Sequence, residues 1–194
     1  MRRGVIWFVV TLVAYVLILY YFGGYEIPSY IYHTLLLVFP LFLIFTNRDS
    51  IQQLGLVKGD WKSGLSIACG VIIITLIIFR FRYGEFSLPV LNSGLINTVI
   101  MAPITEELFF RGYFQPKLET RYGKWVGIVI TAALFMVVHL PKILFTPLAG
   151  LINLPALFIL GCIFGIIRSE SKSVYYPMLC HAGYNFIYRL VFSY

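Results

Sequence analysis

Seven apolar stretches follow one another along this 194-residue chain, each near the length that crosses a lipid bilayer, and they decide what it can fold into. A spanning helix needs about 20 mostly apolar residues, within a range of roughly 17–25. Such runs read at residues 5–22, 31–46, 64–79, 91–114, 125–140, 151–167 and 174–192. Apolar residues make up 60 % of the chain and charged ones 12 %, against roughly 45–50 % and about 25 % in a soluble domain. A soluble enzyme would have to leave that apolar excess in water, so that class is excluded. With 9 Pro, 16 Gly and 3 Cys, disordered, collagenous and disulfide-framed chains are excluded as well.

The expectation is therefore an all-α, polytopic membrane bundle in one domain over residues 1–194, with no soluble domain before, between or after the spans and no internal repeat. Residues 141–155, which contain Pro141, Pro147 and Pro155, could add a short eighth helix or a re-entrant turn. Arg2 and Arg3 followed by an apolar run resemble the start of a signal peptide. That run is too long for an h-region, and Tyr20, Tyr21, Phe22 and Tyr25 crowd its exit where a small-residue cleavage site would stand. It reads as a retained first span.

Basic residues set the orientation. With a cytoplasmic N-terminus, the cytoplasmic segments hold Arg2, Arg3, Arg48, Lys58, Lys62, Lys117, Arg121, Lys124, Arg168 and Lys172, while Arg80, Arg82, Lys142 and Arg189 face the other side. The bias is positive-inside, so the net charge of +7 reads as a topology signal and a contact with anionic headgroups. No basic face with interleaved aromatics points to nucleic acid. Gly161 and Gly165 form a G-x-x-x-G that lets a neighbouring helix approach closely. Cys69, Cys162 and Cys180 lie in apolar runs without C-x-x-C spacing and read as small buried hydrophobes. The 17 Phe and 14 Tyr read as lipid-facing or interfacial-belt residues.

Ionisable side chains at membrane depth are costly, and each is a functional candidate. They are His33, Glu106, Glu107, Arg111, His139 and His181, with Asn185 beside them. His33, near the start of the second run, reads as an interfacial histidine bonded to a backbone carbonyl. Asn92 and Asn97, near the outer end of the fourth, read as caps. Glu107 and Arg111 stand at i and i+4 in the order that favours an ion pair, and in a dry setting that pairing is mainly structural. Glu106 points about 100° away from Glu107 on a helix, and no basic residue lies three or four positions from it. Burial makes such a carboxyl hold its proton more tightly than in water, which suits a general base near neutral pH.

His181 and Asn185, again at i and i+4, present an imidazole and an amide on one face, a pair able to donate to a developing oxyanion. His139 is the remaining candidate to share a water with Glu106. At 1.5 Å per residue from ends near Gln115, Trp125 and Val174, Glu106, His139 and His181 lie about 14, 21 and 10 Å deep, around the middle of a core about 30 Å thick.

Glu106-Glu107-Leu-Phe-Phe-Arg111, Phe135-Met-Val-Val-His139 and His181-Ala-Gly-Tyr-Asn185 spell E-E-x-x-x-R, F-x-x-x-H and H-x-x-x-N in successive apolar runs. In that order they resemble the CPBP (Abi) family of intramembrane proteases, which holds the CAAX prenyl endopeptidases and bacteriocin-processing enzymes. The resemblance covers about residues 103–190, within a motif-bearing core at about 91–192. It implies that Glu106 with His139 activates a water, that His181 and Asn185 line the oxyanion site, and that Glu107 with Arg111 holds the helix. It also implies a polar cavity open toward the cytoplasm and a peptide or protein substrate, prenylated or otherwise membrane-anchored. No cofactor is expected, and zinc held by Glu106, His139 and His181 is the alternative. Two other readings compete: a scaffold of this fold that does not cut, and a proton- or ion-coupled transporter.

Overall fold

The computed structural model describes residues 2–22, 26–46, 51–144 and 154–192. Among these residues every regular element is helical. Seven helices follow in order: α1 (Arg2–Phe22), α2 (Glu26–Phe45), α3 (Trp61–Tyr83), α4 (93–122), α5 (Lys124–Leu144), α6 (Leu154–Ser171) and α7 (Tyr175–Val191). They correspond one to one with the apolar runs. Of the stretch 141–155, residues up to Leu144 continue α5 and Leu154 begins α6; the proposed extra helix falls on 145–153, outside the described residues.

Helices α3 and α6 are long and apolar enough to cross a membrane, and α1, α2 and α5 carry shorter apolar stretches at Val5–Ile18, Tyr30–Leu43 and Lys124–Leu140. The outer flank of α3 exposes Ile73, Ile74, Ile77, Ile78 and Phe81, and α1 exposes Val5, Ile6, Val9, Val10 and Val13. A soluble monomer does not present contiguous apolar flanks of this kind to water. In lipid, apolar burial gives little reason for helices to associate, so shape, small residues and buried polar contacts do that work.

Each of these appears. Gly161 and Gly165 seat α6 on α5: a Cβ at Gly161 would come within 3.0 Å of Ala132, and one at Gly165 within 3.0 Å of Ile128, so the G-x-x-x-G is a packing face. Helix α1 pairs antiparallel with α2, Trp7 Nε1 donating to the Leu35 carbonyl at 3.0 Å and its ring stacking on Phe39 at 5.7 Å. The loop before α3 is fixed to the α6–α7 turn, with Val174 N donating to Gly55 O at 2.9 Å and Asp60 N to Ser171 O at 2.8 Å. Gly59 is required there: its φ is +56° and a Cβ would sit 2.0 Å from Ser171 O. Asp60 then caps α3, accepting from Ser63 Oγ at 2.7 Å and from the amides of Lys62 and Ser63. These bonds, led by that of the Ser63 side chain, hold its carboxyl below the ordinary value.

Several expectations are corrected. The aromatics divide: Tyr20, Tyr21, Phe42, Phe45 and Phe81 are exposed on the outside as expected, but Phe109, Phe110, Phe114, Phe135 and Phe164 are fully buried and fill the core, edge on face; such pairs add about 0.5–1.5 kcal/mol each beyond burial. Only Cys180 is buried, whereas Cys69 is exposed on α3 and Cys162 is intermediate, because lipid accepts a thiol facing outward. Asn92 does cap α4, its Oδ1 accepting from Leu95 N at 2.8 Å, but Asn97 is buried inside the helix.

Helix α4 departs furthest from a regular span. It is α-helical over Ser93–Ile96, Ala102–Glu107 and Gln115–Tyr122, with wider π-helical turns at Asn97–Met101 and Leu108–Phe114 between them. It also runs on past the expected end at residue 114, with Gln115 wholly buried. The physical cause is two prolines, Pro103 and Pro116, each two residues beyond a π segment. A proline has no N–H and its ring crowds the carbonyl one turn back, and widening the preceding turn relieves both.

Candidate active site

The widening has a definite arithmetic. In the wide turns the amide of Ala102 bonds the carbonyl of Asn97, and that of Gln115 the carbonyl of Phe110, each five residues back. The next position in each series is proline, which leaves the carbonyls of Thr98 and Arg111 without their i+5 donor. Both are taken by side chains of other helices. Asn185 Nδ2 of α7 donates to Thr98 O at 2.8 Å, and Arg168 Nε of α6 donates to Arg111 O at 3.1 Å. Arg168, expected among the headgroup-facing cations, is therefore buried. Wide turns of this type recur at functional sites. Here they bracket the short α-helical piece, Ala102–Glu107, that carries both glutamates.

Glu106 and Glu107, 4 % and 0 % exposed, diverge as adjacent helical residues must, and each meets a histidine of a different helix. Glu107 Oε1 accepts from Arg111 Nη1 at 3.0 Å and lies 2.9 Å from His181 Nδ1. Arg111 also donates through Nη2 to Gly161 O at 3.0 Å and lies over the Phe135 ring at 4.6 Å. One turn on, Gln115 Nε2 donates to Gly165 O at 2.7 Å, so α4 bonds the carbonyls of both packing glycines. The expected Glu107–Arg111 pair is present, and His181 joins it.

On the opposite side, Glu106 Oε1 is 3.9 Å from His33 Nδ1, which lies 3.0 Å from Thr105 Oγ1. His33, expected at the interface, thus stands beside the candidate base. It is buried and faces a carboxylate and a hydroxyl. The sequence signal was present, an ionisable residue in an apolar run, but nothing in the linear order joins residue 33 to residue 106.

His139 Nδ1 donates to Phe135 O at 2.7 Å. A carbonyl only accepts, so Nδ1 carries a hydrogen. The Phe135 ring connects it to the rest, lying 4.7 Å from the His139 ring and 5.8 Å from that of His181. Phe164 stacks on His181 at 4.8 Å. His181 and Asn185 share a face of α7 as expected, yet one faces Glu107 and the other Thr98 O. Among the described residues no three His, Cys, Asp or Glu side chains are grouped as a metal site. No step is derived through a metal.

In chemical terms, the residues are a carboxylate able to take a proton, an imidazole whose Nδ1 hydrogen is held by a carbonyl, and a second imidazole backed by an anion. All stand in a low-dielectric surround where such groups act strongly.

Comparison with known proteins adds a separate line of information. The family model described as type II CAAX prenyl endopeptidase Rce1-like matches residues 88–187, just over half of the chain. An uncharacterized 24.3 kDa protein of Escherichia coli is 31 % identical over 101 residues, which are 51 % of this chain and 44 % of that protein. The chain thus spans less than half the length of that curated relative. No solved structure matches.

Proposed function

The chain belongs to the Rce1-like type II CAAX prenyl endopeptidase family, and from that premise we propose that it is an intramembrane endopeptidase cutting a peptide bond in a lipidated or otherwise membrane-associated substrate. In this reading all seven helices span the bilayer, the N-terminus is cytoplasmic, and the site opens to a polar cavity on that side. One observation carries it: the buried carboxylate–histidine cluster of α4 and α7 lies inside the segment matched by the family.

Glu106 takes a proton from a water whose oxygen attacks the scissile carbonyl carbon, and the carbonyl π pair becomes an oxyanion. The tetrahedral adduct then collapses, the C–N bond breaks, and the proton held by Glu106 passes to the leaving amine. His139, with its basic Nε2, orients the water. His181, held through Nδ1 by Glu107, donates from Nε2 in its doubly protonated form. Asn185 has two amide N–H groups. One holds Thr98 O, and the other serves the oxyanion. Glu107 and Arg111 keep the helix and His181 in place.

The test is hydrolysis of a fluorogenic prenylated CAAX peptide by the full chain in lipid, for wild type and Glu106→Gln, each with and without a zinc chelator. Cleavage that needs Glu106 and survives chelation is expected. Turnover retained by Glu106→Gln would sink the assignment, and loss on chelation would establish the zinc alternative.

A further inference from the structure

We infer that His33, on α2 and outside the segment matched by the family, is a positioning residue for Glu106. The inference rests on the reading of Glu106 as the base that activates water. The hydrogen-bond inventory fixes how His33 faces it. Thr105 has one hydroxyl hydrogen, and its Oγ1 lies 2.9 Å from the Met101 carbonyl and 3.3 Å from that of Ala102, both one turn back. Carbonyls only accept, so that hydrogen is committed to the helix backbone and Thr105 Oγ1 meets His33 with a lone pair. With the hydroxyl hydrogen so placed, His33 Nδ1, 3.0 Å away, carries the hydrogen of that contact.

The same N–H edge stands 3.9 Å from Glu106 Oε1. This is beyond hydrogen-bond length but close for a dipole in a dry surround, where the effective dielectric is far below that of water. His33 is 5 % exposed. Its ring lies edge-on to Tyr32 at 4.9 Å, and Tyr32 packs on Tyr15 of α1 at 4.7 Å. An imidazole held between a tyrosine and the Thr105 hydroxyl directs one fixed positive edge at the carboxylate. A base that removes a proton from a water in one orientation needs its carboxylate plane fixed, and misplacement by about 1 Å can cost on the order of 10²-fold in rate. The neighbouring glutamate receives a similar partner from α7, so the first two helices complete a site whose other members come from α4, α5 and α7.

The experiment compares His33→Phe, which keeps a ring and removes the N–H, with His33→Asn, whose amide N–H reaches the Nδ1 position. The assay is the full chain in lipid with the prenylated CAAX peptide. His33→Phe should lower kcat by about 10–100-fold with KM within about twofold, and His33→Asn should recover most of the loss. A readout independent of substrate is labelling of Glu106 by a hydrophobic carbodiimide, which modifies protonated carboxyls and is located by tandem mass spectrometry. His33→Phe should label several-fold faster than wild type and His33→Asn should not. Wild-type kcat in His33→Phe, a change confined to KM, no recovery in His33→Asn, or unchanged labelling would each overturn the inference while an inactive Glu106→Gln leaves the protease reading standing. An active Glu106→Gln would instead remove that reading, whatever His33 does.

Discussion

Replacing Arg111 by Met tests whether the Glu107–Arg111 pair is mainly structural. The guanidinium is wholly buried, makes charge-assisted bonds to Glu107 Oε1 and Gly161 O, both at 3.0 Å, and lies 4.6 Å over Phe135. Removing it deletes the two bonds, worth about 1.5–3 kcal/mol each, and a desolvated cation–π contact of up to about 2 kcal/mol. Methionine recovers part of the packing, and the guanidinium's own desolvation cost disappears. What remains is a buried carboxylate with only His181 for company, which places the net loss at about 3–5 kcal/mol. Against a total of about 5–15 kcal/mol, the fold should survive with a much lower melting point. Adding Glu107→Gln removes the stranded charge, so the double variant should lose less than the sum of the single ones, with a coupling of about 1–3 kcal/mol. The assay is reversible unfolding in bicelles followed by circular dichroism across the four proteins. Additive losses, or single variants that melt like wild type yet do not cleave, would falsify the structural assignment and make the pair part of the chemistry.

Three further outcomes are expected. Asn185→Ala should slow turnover by about 10²–10³ with KM unchanged if the amide donates to the oxyanion. Pro103→Ala, which supplies an N–H five residues from Thr98, should restore the stability lost in that variant but not its rate; an effect on KM alone moves Asn185 to substrate binding. Gly161→Val should cost about 1–3 kcal/mol by overpacking α6 on α5 at Ala132, and unchanged melting would refute the seam. Asp60→Asn should melt below wild type at neutral pH. Because the folded carboxyl titrates below its ordinary 3.8, the wild-type advantage is present above that value and fades as pH falls through the lower folded one. A gap that persists in acid would show that the cap does not depend on the charge.

Much of this was legible in the chain. The helices could be counted because lipid demands long apolar runs and leaves few alternatives for them. The Glu107–Arg111 pair and the Gly161–Gly165 face follow from helical spacing alone, since both are local in sequence. What could not be read depends on long-range placement or on a changed helical period. His33 meets Glu106 across 73 positions. Arg168 looked like one more cytoplasmic cation because a charge tally has no means of finding a carbonyl in need of a donor. The wide turns of α4 escape hydropathy, which is blind to whether an amide bonds four or five residues back. Their signal was Pro103 and Pro116, and it becomes readable only when one asks which carbonyl each proline deprives. The same question would have identified Thr98 and Arg111, and hence the work done by Asn185 and Arg168.

Those two deprived carbonyls make α4 a lever with handles held by other helices. Thr98 lies before the glutamates and is gripped by α7, while Arg111 lies after them and is gripped by α6. A lateral shift of α7 that carries Asn185 must either release Thr98 or drag the turn ahead of Glu106, and a shift of α6 acts likewise behind Glu107. An uninterrupted α-helix, its carbonyls all engaged internally, would let its neighbours slide past. With the breaks, the spacing of α6 and α7 and the aim of the two carboxylates cannot change independently, so whatever parts those helices also re-aims the acids.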